Sequence, residues 1–250
     1  MALPAQKTTA LEARLAAMAL PEGGWTDAAR KEALTRVQTM GLPDRRDEYW
    51  RYTRPDTLVQ AAPVEMGLDT SDEPGFFAAL NPCRLVFVDG VFDADGSDLD
   101  ALPASVSIER LADQNSDLHW ARDIFGVLES AGQAPVERPL AALNTAFASD
   151  GILVHVTGKA DRPIHIVYQN TDTQSDVMLH HVVKVDAEAE VTLLESGPTG
   201  ARTNMVMEVS VADTGAFHHV RVQGREQERQ SATHIFGRLG TESTFKSFTL

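Results

Sequence analysis

An internal repeat in the last hundred residues constrains this chain more than any other feature. Asp186, Asp213 and Gly240 each follow an apolar run and open a turn, and they stand 27 residues apart. The same shift superposes Ile152, Leu179, Val206 and Thr233, then His155, Val182, Val209 and Phe236, then Ile164, Val191, His218 and Phe245. Each repeat has room for two extended segments, one on either side of the turn. Their Val, Ile, Thr and Phe content suits strands. A fixed period of this length marks a solenoid. One coil cannot bury its own apolar face, and the next coil stacks on it to build continuous columns. Successive coils run in the same direction, so the sheets are parallel. An antiparallel sandwich also holds closely spaced strands, but it has no reason to keep a constant period. The reading is a parallel β-helix over residues 151–250, with about 27 residues and two strands per coil.

The sequence stops at Leu250, inside the second strand of the fourth repeat. An uncapped solenoid exposes strand edges and an apolar end. The β-helix is therefore expected to be incomplete, with the natural protein continuing past Leu250 or a partner covering this end.

Residues 1–60 read as an N-terminal helical region. Thr8 or Thr9 caps a helix carrying Leu11, Leu15 and Met18, and Pro21 with Gly23 and Gly24 ends it. Thr26 caps a second helix with Ala33, Leu34, Val37 and Met40 on one side, stopped by Gly41 and Pro43. A short third helix spans 45–50. Residues 61–150 form a mixed α/β linker region. It holds a hairpin at 84–92 turning on Asp89-Gly90, an extended piece at Val106 and Ile108, and helices at 119–128 and 139–147.

Charge narrows the function. With 22 basic and 36 acidic side chains the net charge is −14, which repels nucleic acid and anionic membrane as main partners. The single cysteine, Cys83, excludes an intrachain disulfide and any all-cysteine zinc or iron–sulfur site within one chain. No basic leader precedes an apolar run, and no segment reaches the roughly 20 apolar residues that span a bilayer. A soluble cytoplasmic protein is expected.

Six of the eight histidines fall in the repeat region. His180 and His234 occupy equivalent positions two coils apart, with Leu153 and Met207 placed in the same column. They are the candidate metal ligands, yet two strand spacings are about 9–10 Å, too far to share one ion directly. His180-His181 and His218-His219 are adjacent pairs whose members point to opposite faces of a strand. The period puts His218 in the core column of Ile164, Val191 and Phe245. It puts His219 with His165, Thr192 and Lys246 on a solvated face. Asp89 and Asp93 suit turn chemistry, and Cys83 has no identifiable catalytic partner. No phosphate loop, dinucleotide fingerprint, nucleophile elbow or zinc helix is present, so no catalytic residue is assigned.

Residues 41–53, GLPDRRDEYWRYT, resemble the N-terminal motif of the SufB/SufD family of SUF iron–sulfur cluster assembly scaffolds, and within it SufD. Glu48, Trp50, Arg51, Tyr52 and Thr53 stand in the matching places. Residues 85–92 are similar to the family's hairpin, and residues 142–151 to the segment before its first β-helix strands. The resemblance implies a helical N-terminus, a right-handed parallel β-helix and a C-terminal helical region. It also implies a non-enzymatic scaffold that pairs with a SufB-like paralogue and binds a SufC-like ATPase. A transient iron–sulfur cluster would be handled in the complex, with none held stably by this chain alone and a homodimer possible in isolation. Glu48, Trp50, Tyr52 and Thr53 are read as structural, for packing and capping. Cluster-contacting and ATPase-docking residues are expected beyond Leu250, so none is assigned here. The rival readings are a histidine-lined metal-binding β protein and a carbohydrate-active β-helix enzyme.

Overall fold

The computed structural model describes residues 5–68, 75–113, 119–223 and 229–250. A hairpin of β1 (Cys83–Val88) and β2 (Val91–Asp93) is followed by β3 (Val106–Arg110), and eight further strands then wind a solenoid of about three turns. These are β4 (Ile152–Val156), β5 (Ile164–Gln169), β6 (Asp176–Val185), β7 (Glu190–Ser196), β8 (Arg202–Val211), β9 (Ala216–Val222), β10 (Gln230–Leu239) and β11 (Thr244–Thr249). One sheet runs β10-β8-β6-β4-β3 and the other β11-β9-β7-β5-β1-β2. Every pairing between coils is parallel. Antiparallel partners close the first coil, β3 on β4 and β2 on β1. Asp89 and Gly90 both take positive φ, 48° and 80°, which the tight two-residue turn requires.

The repeat is not constant. Leu153 pairs with Val182, Val182 with Glu208 and Glu208 with Phe236, steps of 29, 26 and 28 residues. The two corners explain this. From Val156 to Ile164, Val185 to Leu193, Val211 to His219 and Leu239 to Ser247, the Asp/Gly corner always takes eight residues. The opposite corner takes nine from Val167 to Asp176, six from Ser196 to Arg202 and eight from Val222 to Gln230. A uniform 27 is thus corrected to steps close to 28, with all the variation at one corner. The six-residue corner is tight. Gly197 takes φ 93° there, and a Cβ on it would lie 2.1 Å from the Tyr168 carbonyl oxygen.

The inside of the solenoid is an apolar core built from Ile152, Val154, Ile164, Ile166, Leu179, Val183, Leu193, Met207, Val209 and Phe217. The outer face of the β4–β10 sheet carries Met178, Val182, Val206 and Phe236 into a second core under the helices. Those helices are α1 (Ala5–Ala16), α2 (Asp27–Met40), α3 (Asp56–Val59), α4 (His119–Arg122), α5 (Val127–Ala131) and α6 (Pro139–Phe147). Thr8 and Thr9 lie inside α1 rather than capping it. Thr26 is the N-cap residue of α2, but its hydroxyl accepts a hydrogen bond from Arg30 Nε instead of a backbone N–H. The helix expected over 119–128 is two short ones, because Gly126 enters the left-handed region at φ 72°.

Buried polar groups pin this cover to the solenoid. Asn144 of α6 donates to the carbonyls of Leu179 and Asn204, and Asn204 donates back to Leu140 O at 2.8 Å. Arg14 of α1 and Arg202 of β8 both bind Asp176, and Arg202 also donates to the Gln60 carbonyl at 2.7 Å. Among the described residues no helix is long and apolar enough to cross a membrane.

Candidate functional site

Two buried polar networks lie on opposite faces of the β4–β10 sheet. The alternation of a strand separates them, since His180 points out of the solenoid and His181 points in.

The outer network centres on Glu208. Its Oε2 lies 2.8 Å from His180 Nε2, and both side chains are fully buried. The same carboxylate accepts the backbone N–H of Gly126 at 2.6 Å and of Glu129 at 2.7 Å. Glu208 therefore satisfies the orphan donors at the start of α5 from across the interface. The Phe125 ring covers His180 at 4.4 Å. Glu129, also buried, is gripped in turn by Arg36 and Gln133.

The inner network runs through the solenoid. Ile152 N–H donates to His181 Nδ1 at 3.1 Å, which leaves the imidazole proton on Nε2, facing Tyr168 Oη at 3.1 Å. Tyr168 donates to Glu195 Oε2 at 2.8 Å. His219 Nε2 reaches Glu195 Oε1 at 2.7 Å, and its Nδ1 meets Ser247 Oγ at 2.9 Å. Arg221 Nη1 stands 3.9 Å from Glu195. Burial alone would push the Glu195 carboxyl up. The hydrogen bond from His219 and the charges of Arg221 and His219 outweigh it and hold the carboxyl at about 2. Burial holds His181 down at about 4, so it is neutral at pH 7. Ser247, His219 and Glu195 form a hydroxyl–imidazole–carboxylate row. A nucleophile also needs oxyanion donors and room for substrate, so the row by itself reads as compensation of buried charge.

The sequence candidates fare differently. His180 and His234 do lie in one column, each paired with Val206 from either side. The residue two strands before His234 is His180, but Leu153 and Met207 belong to other columns, pairing with Val182 and His181. His180 is committed to Glu208, while His234 stacks on Phe236 and its buried Nδ1 has no partner. Among the described residues no three His, Cys, Asp or Glu side chains gather as a metal site. The assignment of His218 and His219 is reversed. His219 is 2% exposed inside the solenoid beside Leu193, and His218 pairs with Thr192 and Lys246 at the surface. The one-residue error per coil turned the strand over.

Glu48 and Trp50 line a groove of about 670 Å³ with Lys7 and Pro139. Trp50 packs against the helical core, and Thr53 N–H caps the Trp50 carbonyl at 3.2 Å. Tyr52 is not a packing residue, being 89% exposed with its ring over Arg51. Cys83 is buried, and its thiol, raised by burial and then by Asp98, donates to the Asp98 carbonyl. Glu195 and Glu208 escaped the sequence reading. Their signal was a carboxylate inside an apolar strand, in TLLES and VMEVS, where burial demands a partner.

The comparisons meet this geometry. The family model for the SufBD protein N-terminal region matches residues 23–166, more than half of the chain. The chain belongs to the SufBD family. A curated relative, described as an iron-sulfur cluster assembly SufBD family protein of Synechocystis sp., is 23% identical to this SufBD chain over 214 residues. That alignment takes in 78% of the chain and 46% of the relative, so the chain spans about half the length of the curated relative it matches. The family match takes in Glu48 to Thr53, the hairpin, α6 and the first two solenoid strands.

Proposed function

We propose that this SufBD chain is a non-enzymatic, cytoplasmic scaffold subunit of iron–sulfur cluster assembly, SufD-like in role, pairing with a SufB-like paralogue and binding a SufC-like ATPase. The observation that carries the reading is the family match over residues 23–166. The Synechocystis relative, described by its role in cluster assembly, supports the process. The physical support is a rigid solenoid whose buried acids and histidines are bonded to one another. A single, buried thiol cannot supply the roughly four ligands a cluster takes. The cluster is then cargo of the complex, ligated largely by partners, and not a resident group of this chain.

Depleting the protein in its own organism under iron limitation is expected to lower the activity of iron–sulfur enzymes several-fold. Iron-free enzymes should keep theirs. Unchanged iron–sulfur enzyme activity in the depleted cells would count against the proposal.

A further inference from the structure

A concavity of about 440 Å³ lies on the outer face of the other sheet, remote from both buried networks. That volume is within the range of small-molecule pockets. Arg84 and His165 are direct neighbours across the β1–β5 pairing and both line it. His165 is only 4% exposed. Its Nε2 lies 2.8 Å from Ser196 Oγ, and the Phe77 ring meets it edge-on at 5.1 Å. Arg162 enters from the corner before β5. Its Nε and Nη2 donate to the carbonyls of Asn81 and Pro82 at 3.2 and 3.1 Å, which fixes the guanidinium in place. Among the described residues the Arg84 guanidinium has no carboxylate or hydrogen-bond partner. The one lining carboxylate, Asp98, accepts the Arg84 backbone N–H at 3.0 Å.

Two guanidiniums against one carboxylate leave this pocket positive in a chain whose net charge is −14. With 36 acidic side chains available, an uncommitted arginine in a concave site is a choice of the fold. Guanidinium forks match oxyanions in two-point hydrogen bonds, and a hydroxyl donor alongside completes such a site. We propose that this pocket binds the phosphate or carboxylate group of a small molecule, held by Arg84 and Arg162 with Ser196 and His165 forming its polar wall. Burial, and then the charge of Arg84, keep His165 at about 4 and hence neutral, so at pH 7 the positive charge comes from the arginines alone.

The test uses the intact protein, labelled in its histidine rings, in low-salt, phosphate-free buffer at pH 7.5. Inorganic phosphate and succinate are titrated separately by calorimetry and NMR. The expected result is saturable binding of at least one of them, with the His165 ring resonance moving and its pKa rising by about one unit as the anion offsets Arg84. Arg84→Gln and Arg162→Gln should each weaken binding roughly tenfold or more. Arg84→Gln, at an exposed position, should leave thermal unfolding unchanged, while Lys246→Gln on a remote strand should leave affinity unchanged. Phosphate binding alone assigns a phosphorylated ligand, and succinate binding alone a carboxylate. Saturable binding by neither, or equal affinity in both arginine variants, overturns the proposal.

Discussion

Glu208→Ala is expected to cost the fold about 3–5 kcal/mol, the range found when one partner of a buried pair is removed. The substitution leaves the N–H groups of Gly126 and Glu129 without their acceptor, and His180 Nε2 without its partner. All of these are sealed between the β4–β10 sheet and the helices, so water does not replace the carboxylate. An unpaired buried donor costs about 1–3 kcal/mol, and three orphans at one place exceed what a cavity of two methylenes costs. Whole domains hold only about 5–15 kcal/mol, so the variant should unfold at a much lower urea concentration. Glu32→Ala, on the exposed side of α2, should stay within about 0.5 kcal/mol of the parent. The unfolding midpoint read by circular dichroism decides the matter. A loss under about 1 kcal/mol for Glu208→Ala would mean that α5 does not depend on the strand beneath it.

Acid should destabilise the protein well above the carboxylate range. Burial lowers His181 and His234 from 6.5 to about 4, with Arg138 adding to the effect at His234. A histidine depressed in the fold takes up its proton preferentially in the unfolded chain. It contributes no pH dependence above 6.5, and stability falls as pH drops from 6.5 toward 4. At pH 5 the loss is about 2 kcal/mol for each of the two, a large share of the total. His165 acts with the same sign, and Glu195, held at about 2, adds a further loss only below its ordinary carboxylate range. His234→Phe isolates one contribution cleanly. The ring already stacks on Phe236 and its Nδ1 is unpartnered, so the substitution should be neutral or stabilising at pH 7.5 and should flatten the slope. Urea midpoints measured from pH 7.5 to 5 that stay level, or that fall identically in the variant, would contradict this assignment.

Much of the architecture was legible because each coil repeats one corner. Asp186, the turn around Asp213 and Gly240 mark the eight-residue corner, and the change from apolar run to turn residue is strong there. The opposite corner has no such mark, and its length changes by up to three residues. A period of 27 averages over that change well enough to reveal parallel coils but not well enough to choose faces. His180 and His234 kept their correspondence because the steps of 26 and 28 between them cover the same 54 residues as two uniform coils. His218 and His219 lie one step away, where the error is a whole residue, and so they exchanged faces. The polar networks were hidden for a different reason. Glu208 meets α5, some eighty residues earlier in the chain, and Tyr168, His181 and His219 meet around Glu195 from four strands. No local pattern encodes such convergence. Tyr52 illustrates the limit of motif matching, since its place in a recognisable string says nothing of its 89% exposure.

The most direct test of the scaffold reading is anaerobic co-purification of the intact protein with its organism's SufB-like paralogue and SufC-like ATPase. Mass by light scattering and visible absorbance are read on the same peak. The account predicts a stable hetero-complex that carries cluster absorbance and loses it when the SufB-like partner is left out. A lone protein that ignores both partners at micromolar concentration would contradict it.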